Sequence, residues 1–296
     1  DGVDTLVVTA AAYSATAATQ AAAGVTNMEV LLVAAGSADV RSFSNNTFAS
    51  FASLGAASIT GLGADAVSLT TTAGGNQTLD RATDGAADAA TVTLAGTNAQ
   101  TIGTLNVADE ETVTINSGSA LAGSNVITTL TGTDLTSLTI AGNRDLTITN
   151  AITGTKLATL DASGLSGTGT VLSVSAANST ADMTVTGAAG VESTDGEEMN
   201  IISTGSGDDT ITTGAYADRI NAGNGDNTVV AGDGNNNITT GRGADTITAG
   251  DGDNTIDSGI GNDTITVGDG DNDIDAGNGD DTVTAGGTTT STTVFD

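Results

Sequence analysis

A nine-residue repeat without insertions occupies residues 204–284 and constrains the fold of this chain more than any other feature. Slot 2 of the repeat is always glycine, slot 4 is glycine in all units except the one with Tyr216, and slot 8 is always isoleucine or valine. Glycines two residues apart allow the positive φ angles of a tight turn, and a β-branched residue after the turn favours a short strand. Two units therefore make one coil, and stacked coils pair their strands in parallel at ~4.8 Å. The units are TGSGDDTIT, TGAYADRIN, AGNGDNTVV, AGDGNNNIT, TGRGADTIT, AGDGDNTID, SGIGNDTIT, VGDGDNDID and AGNGDDTVT.

Alternate units lie on the same side of such a stack, so slot 6 forms one column of oxygen-bearing side chains at each edge. The first column reads Asp209, Asn227, Asp245, Asp263 and Asp281. The second column reads Asp218, Asn236, Asn254 and Asn272, and the same edge has further acids in slot 3, namely Asp233, Asp251 and Asp269. Stacked carboxylates repel one another unless a cation lies between them, and a hard ion that takes six or more oxygen ligands is calcium. We therefore predict that all twelve residues are calcium ligands; the alternative is that they are turn formers on a solvated face.

The charge of the repeat agrees with this prediction. Residues 204–284 contain 16 Asp and two Arg, which gives −14. Five turns at one edge and four at the other leave seven gaps between coils. Seven divalent ions would neutralise the segment.

The first 194 residues lack the nine-residue period but are rich in short apolar and Thr segments. TLVVT (5–9) and MEVLLVA (28–34) are predicted strands, and residues 10–23 are predicted to form a short helix. TLNVADEETVTI (104–115) and SLTIAGNRDLTI (137–148) superpose at a shift of 33, and a further copy, ATLDASGL (158–165), follows 22 residues on. This pattern predicts a β-solenoid with wider, irregular coils.

The predicted fold class is thus all-β: an irregular parallel β-helix over 1–194, a regular parallel roll over 195–286 and a Thr-rich tail over 287–296. The row DGEEMNIIS (195–203) places Asn200 and Ile202 in slots 6 and 8 and is predicted to start the roll.

Composition excludes several classes of function. The 296 residues contain 6 Lys+Arg and 36 Asp+Glu, a net charge of −30, which argues against nucleic acid and anionic membranes as partners. There is no His and no Cys, so His-containing triads, His-ligated zinc and disulfides are impossible. The longest apolar runs, such as VLLVAAG (30–36), are too short to span a bilayer.

Nothing in the sequence predicts an enzyme. There is no G-x-S-x-G nucleophile elbow. The paired acids Glu110/Glu111 and Glu197/Glu198 are interpreted as solvated. We therefore predict no catalytic residues and no cofactor other than calcium.

The repeat resembles the RTX family of calcium-binding nonapeptides, G-G-x-G-x-D-x-U-x, in which U is a large apolar residue. This resemblance implies a parallel β-roll with multiple calcium ions in the turns, slot-6 residues as ligands, and type I secretion from a Gram-negative cell. The chain departs from the pattern in slot 1, which is mostly Thr or Ala, and in the Asn residues of the second column.

The order of LTSLTIAGNRDLTI (135–148), LATLDASGL (157–165) and RTX rows resembles RTX-type surface-layer (S-layer) proteins of Gram-negative bacteria, such as that of Caulobacter. The resemblance implies a structural subunit at the extracellular cell surface, which folds on calcium and self-assembles into a homo-oligomeric lattice or filament. Cell-surface polysaccharide is a further candidate partner. The expected mechanism is ion-coupled folding, in which the chain stays extended at low calcium and closes its coils outside the cell.

Two other functions stay open. The repeat could be the non-catalytic module of a secreted RTX enzyme. It could also belong to an adhesin or ice-binding segment, because outward Thr pairs such as Thr210/Thr212, Thr246/Thr248, Thr264/Thr266 and Thr282/Thr284 form a flat Thr-x-Thr array. Val230 interrupts that array.

Overall fold

A computed structural model of the chain describes residues 5–8, 12–13, 30–34, 36–40, 48, 50–63, 65–118, 123–167, 171–188, 200–286 and 293–295. Within these residues the chain winds as a parallel β-solenoid in which strands alternate between two sheets of 14 strands each. The sequence prediction of an all-β solenoid is confirmed.

The first sheet contains the odd-numbered strands, paired in chain order. They are β1 (Thr5–Val8), β3 (Val30–Val33), β5 (Ser50–Ser53), β7 (Val67–Thr71), β9 (Ala89–Leu94), β11 (Thr112–Ser117), β13 (Ser137–Gly142), β15 (Thr159–Leu165), β17 (Thr184–Thr186), β19 (Thr210–Thr212), β21 (Thr228–Gly232), β23 (Thr246–Ala249), β25 (Thr264–Val267) and β27 (Thr282–Ala285).

The second sheet contains the even-numbered strands, also paired in chain order. They are β2 (Ala12–Tyr13), β4 (Gly36–Asp39), β6 (Ala57–Leu62), β8 (Gln77–Arg81), β10 (Thr101–Asn106), β12 (Asn125–Thr131), β14 (Leu146–Ile148), β16 (Leu172–Ser175), β18 (Asn200–Ser203), β20 (Asp218–Gly223), β22 (Asn237–Thr240), β24 (Thr255–Asp257), β26 (Asp273–Asp275) and β28 (Thr293–Phe295).

The nonapeptide segment forms the regular part of the solenoid. Slot 8 pairs with slot 8 one coil later, as in Ile247 with Ile265 in the first sheet and Ile238 with Ile256 in the second. These side chains point inward and are 0–1 % exposed from Ile211 to Ile274, whereas Val283 in the last coil is half-buried. The early row is also part of this stack, because Asn200 pairs with Asp218 and Ile202 with Ile220. The predicted inward column of Ile and Val is therefore confirmed.

The coils before the repeat vary in length and are mostly longer than those of the repeat, although the coil from β5 to β7 has the same length. The predicted 33-residue shift is wrong. Leu138 pairs with Val113, 25 residues earlier, and not with Leu105, which lies in the other sheet. A shift of 33 superposes strands of different sheets, because similar strands occur at each side of a coil. The shift of 22 is correct, since Leu138 pairs with Leu160.

Other local predictions had mixed outcomes. The predicted strands at 5–9 and 28–34 correspond to β1 and β3. Ala12–Tyr13, inside the predicted helix at 10–23, form β2 instead, and the rest of that segment lies outside the described residues. In the predicted tail, β28 pairs with β26, which extends the second sheet beyond the last repeat.

The irregular and regular parts share both sheets. β17 pairs directly with β19, and β16 pairs with β18, which pairs with β20. Among the residues described, no helix has the length and apolar character needed to cross a bilayer.

Candidate metal centre

The slot-6 column in the turns before β19, β21, β23, β25 and β27 is here called the Asp edge. Its five members, Asp209, Asn227, Asp245, Asp263 and Asp281, are stacked one coil apart. In each pair the later side chain accepts a hydrogen bond through Oδ1 from the backbone N–H of the earlier residue, at 2.8–3.0 Å. These bonds use one carboxylate oxygen of each Asp and direct the side chains into the gap between coils.

The second carboxylate oxygen of each Asp on this edge has no donor. Oδ2 of Asp209, Asp245, Asp263 and Asp281 is buried and accepts no hydrogen bond. Asp209, Asp245 and Asp263 are each only 1 % exposed. A buried carboxylate without a partner is costly, so a cation or a proton is needed at these oxygens.

Burial also affects the acidity of Asp209 and Asp245. Desolvation raises the pKa of the Asp245 carboxyl above its ordinary value, and it outweighs the hydrogen bond from the Asn227 backbone. The pKa of Asp209 is raised for the same reason, despite a hydrogen bond from the Met183 backbone. A nearby cation would counter both effects, because it stabilises the charged form.

Backbone carbonyl oxygens lie in the same turns. Gly243 has a φ of +134°, and a Cβ at this position would lie 2.1 Å from the carbonyl oxygen of Gly225 in the coil before. Only glycine allows coils to approach so closely with this backbone conformation.

The set of ligands fits calcium but not a metal that needs a side-chain cluster. No group of three or more His, Cys, Asp or Glu residues in the described part of the chain could hold a metal. A site on the Asp edge would therefore combine carboxylate oxygens from successive coils, such as Asp245 and Asp263, with glycine carbonyl oxygens. Such an all-oxygen set is the one that calcium prefers.

The slot-6 column of the second sheet, here called the Asn edge, is built differently. It contains Asp218, Asn236, Asn254 and Asn272, each 1–2 % exposed. The Asn254 amide Nδ2 donates to the carbonyl oxygens of Gly250 and Gly252 at 3.2 and 3.0 Å and to Oδ1 of Asn272 at 3.0 Å. The structure thus brings the predicted residues together. Asn236, Asn254 and Asn272 have amide donors facing the glycine carbonyls, whereas Oδ2 of Asp218 is buried and accepts no hydrogen bond, as on the Asp edge.

The slot-3 acids lie outside this column. Asp233, Asp251 and Asp269 are exposed to solvent. Oδ1 of Asp233 accepts from the Asp251 backbone N–H at 2.9 Å, and Oδ1 of Asp251 accepts from that of Asp269 at 2.8 Å. They form an outer ladder that joins successive coils.

The sequence reasoning missed a second outer ladder, in slot 5. Asp208, Asp226 and Asp253 each accept through Oδ1 from a backbone N–H one coil later, at 2.7–2.8 Å. The signal was present, because slot 5 is Asp or Asn in all units except those with Ala217 and Ala244.

The residues in slot 1 are mostly Thr or Ala, where the RTX pattern has glycine, and the structure shows a role for the hydroxyl residues. Thr204, Thr240 and Ser258 donate through their hydroxyls to backbone carbonyls one coil later, at 2.8–2.9 Å. A hydroxyl in place of slot-1 glycine thus adds a buried bond between coils.

The interpretation of Glu110 as solvated is wrong. Glu110 is fully buried, and its two carboxylate oxygens accept from Nε and Nη2 of Arg81 at 2.9 and 2.6 Å. Arg81 also donates to the carbonyls of Gly63, Asp65 and Ala89, so its guanidinium closes this corner of the solenoid. Glu111 accepts from the Asp88 backbone N–H at 2.7 Å, and Glu197/Glu198 lie outside the described residues.

Together, the 18-residue coil, the glycine turns and the buried carboxylate column define a calcium-binding parallel β-roll. Residues 203–238, 230–265 and 258–288 match the family model described as the RTX calcium-binding nonapeptide repeat (4 copies). The match is confined to residues 203–288, and it shows that this segment is similar to the RTX calcium-binding nonapeptide repeats. Comparison with curated proteins and with solved structures gave no match for the chain.

Proposed function

We propose that this chain is a non-catalytic structural subunit of an extracellular surface layer, which folds and self-assembles when its RTX coils bind calcium. The observation that carries the proposal is continuity: the RTX coils and the preceding coils share the same two sheets. Calcium that closes the roll therefore provides a paired template for the strands before it. A chain built throughout as one stack suits a scaffold better than an enzyme with a separate module.

Calcium supplies the driving force for folding in this proposal. The RTX coils carry −14 and bury four carboxylates on the Asp edge, which is unfavourable without cations. Binding of ions to Asp245, Asp263 and their neighbours couples site occupancy to closure of the coils. Millimolar extracellular calcium would thus fold a segment that is extended at cytoplasmic concentrations.

The ends of the stack favour assembly. β27 is the last strand of the first sheet, and no described strand pairs with its outer edge. A free strand edge is a template for pairing with another chain. We propose that such edges, together with the flat sheet faces, join copies of the chain into a lattice or filament, with surface polysaccharide as a candidate anchor.

Electron microscopy tests the proposal directly. The purified chain is imaged after addition of millimolar calcium and again after EGTA, with far-UV circular dichroism recorded on the same samples. We expect ordered sheets or filaments that dissolve with chelator. Calcium-folded chains that remain monomeric at all concentrations would refute the structural-subunit proposal.

A second candidate function, ice or surface binding, is favoured by one observation. The exposed Thr array of the first sheet continues beyond the RTX coils, in register from β11 to β27. One column of this array contains only hydroxyl residues: Thr112, Ser137, Thr159, Thr184, Thr210, Thr228, Thr246, Thr264 and Thr282. The array is thus longer than the repeat alone suggests, although Thr also suits exposed strand positions in general.

Thermal hysteresis separates the two candidates. A Thr246→Lys/Thr264→Lys variant interrupts the column without touching the core. If the array binds ice, the parent depresses the freezing point and the variant does not. Lattice formation without thermal hysteresis in the parent would favour the surface-layer function.

A further inference from the structure

We infer that the β-roll binds calcium along the Asp edge only, and that the Asn edge is closed by its own side-chain amides in place of metal ions. This inference rests on the calcium binding in the proposed function, but not on assembly. It departs from the sequence prediction that both edges hold calcium.

The first step is the position of the amide groups. Asn236 Nδ2 donates to the carbonyls of Gly232 and Gly234 at 3.3 and 3.0 Å and to Oδ1 of Asn254 at 3.0 Å. Asn254 repeats these three contacts one coil later. The amide therefore occupies the centre of the turn and uses the glycine carbonyls that a cation there would need.

The second step is that these residues have no unmet need for a cation. Oδ1 of Asn254 accepts from the Asn236 backbone N–H at 3.1 Å as well as from the Asn236 amide at 3.0 Å. A neutral residue with its donors and acceptors paired costs little to bury. A cation at this position would displace amide hydrogens and gain no carboxylate.

The third step concerns the N-terminal end of the Asn edge. Asn200 donates through Nδ2 to Oδ1 of Asp218 at 2.8 Å, and its own Oδ1 accepts from the Ala188 backbone N–H at 2.7 Å. The amide ladder thus begins one coil before Asp218 and continues below it. Asp218 is the single carboxylate in this column, and its buried Oδ2 accepts no hydrogen bond. Its neighbours one coil away are Asn200 and Asn236, so no gap of the Asn edge has a carboxylate on each side to share a cation.

The acids in slot 3 do not replace the missing carboxylates inside the column. Asp233, Asp251 and Asp269 are exposed to solvent, where water hydrates them. They lie outside the glycine turns whose carbonyls the amides already use.

The inference predicts a smaller number of bound calcium ions than sites on both edges would give. The five residues of the Asp edge enclose four gaps, of which two, Asp245/Asp263 and Asp263/Asp281, have a carboxylate on each side. Asn227 contributes to the other two gaps, and its Nδ2 donates to the Gly225 carbonyl at 2.9 Å, as the Asn-edge amides do. The roll therefore holds no more than four calcium ions, whereas sites on both edges would give seven.

Equilibrium dialysis of the full chain against calcium, in excess magnesium to suppress weak surface binding, provides the count. We expect at most four ions per chain, and fewer in Asp245→Asn/Asp263→Asn. An Asn254→Ala/Asn272→Ala variant and an Asp233→Asn/Asp251→Asn/Asp269→Asn variant should keep the parent count.

A count near seven in the parent, or a lower count in either control variant than in the parent, would overturn the inference. The parent count requires no substitution, so a control variant that fails to fold leaves the test valid. A chain with four or fewer ions that never assembles would contradict the surface-layer proposal alone.

Discussion

Asp263→Asn is expected to stabilise the calcium-free roll and to remove much of the stabilisation that calcium provides. Asp263 has carboxylate neighbours one coil away on each side, Asp245 and Asp281, and its Oδ2 has no donor. Asparagine keeps the Oδ1 acceptor and places an amide where Oδ2 was. Asn254 shows what such an amide does, because it donates to two glycine carbonyls of its own turn.

The magnitude follows from charge and hydrogen bonds. Two carboxylates ~4.8 Å apart repel by about 3 kcal/mol at an effective dielectric constant of about 20. Each new amide hydrogen bond adds about 1 kcal/mol. Burial raises the pKa of Asp245, so the charged form of its carboxyl is less favourable here than in water. Asp263 has two such neighbours, so we expect the calcium-free roll to gain several kcal/mol in the variant, on the order of 6 kcal/mol before solvent screening.

With calcium this gain is offset, because the substitution removes a ligand from two gaps. Each site lost at a free calcium concentration of 100 times Kd costs about 2.7 kcal/mol. Loss of both sites would cost about 5 kcal/mol, which is of the same order as the gain without calcium. Calcium should therefore stabilise the variant much less than the parent.

The assay is guanidinium unfolding followed by far-UV circular dichroism, in EGTA and in millimolar calcium. Asp273→Asn is the matched control, since it removes the same charge from an exposed strand position. A variant that is less stable than the parent in EGTA, or that gains as much from calcium as the parent does, would refute the reasoning.

Three further predictions concern single positions. Tyr216, which has a φ of +123° where other units have glycine, is strained, so Tyr216→Gly should raise the unfolding free energy in calcium by ~1–3 kcal/mol; a lower guanidinium midpoint would contradict this. Asn227→Asp should tighten calcium binding in calorimetry, because it places carboxylates on both sides of two more gaps; unchanged affinity would count against the Asp-edge sites. Ile247→Ala should cost ~2–5 kcal/mol in chemical unfolding, because Ile247 is fully buried, whereas exposed Thr248→Ala should change stability little.

Much of the nonapeptide segment could be predicted from the sequence. The repeat sets turns and strands locally, so the inward position of Ile247 and the alternation of edges follow from counting slots. The pairing of Ile202 with Ile220 was predictable for the same reason, because one row before the repeat keeps the same slots. In that segment the sequence period and the coil length agree, so the sequence allows one strand register only.

The strand pairing of the coils before the repeat was harder to predict, because two different registers matched the sequence about equally well. Leu138 resembles both Leu105, at a shift of 33, and Val113, at a shift of 25, and only the second is its neighbour in the sheet. Without a fixed coil length, sequence similarity does not distinguish strands on opposite sides of a coil. The burial of Glu110 was missed for a related reason, since its partner Arg81 is 29 residues away and no short motif joins them.

The direction of the Asn amides was also beyond sequence reasoning, because Asp and Asn share shape and turn preference. What separates them is which group faces the glycine carbonyls: an acceptor that needs a cation, or a donor that needs none. Three solutions thus close the corners of this solenoid. Arg81 supplies a cation from the chain itself, Asn254 supplies amide donors, and the column with Asp245 and Asp263 leaves several stacked, buried carboxylate oxygens without donors. The carboxylates that most need a cation are therefore stacked at one edge of the nonapeptide segment.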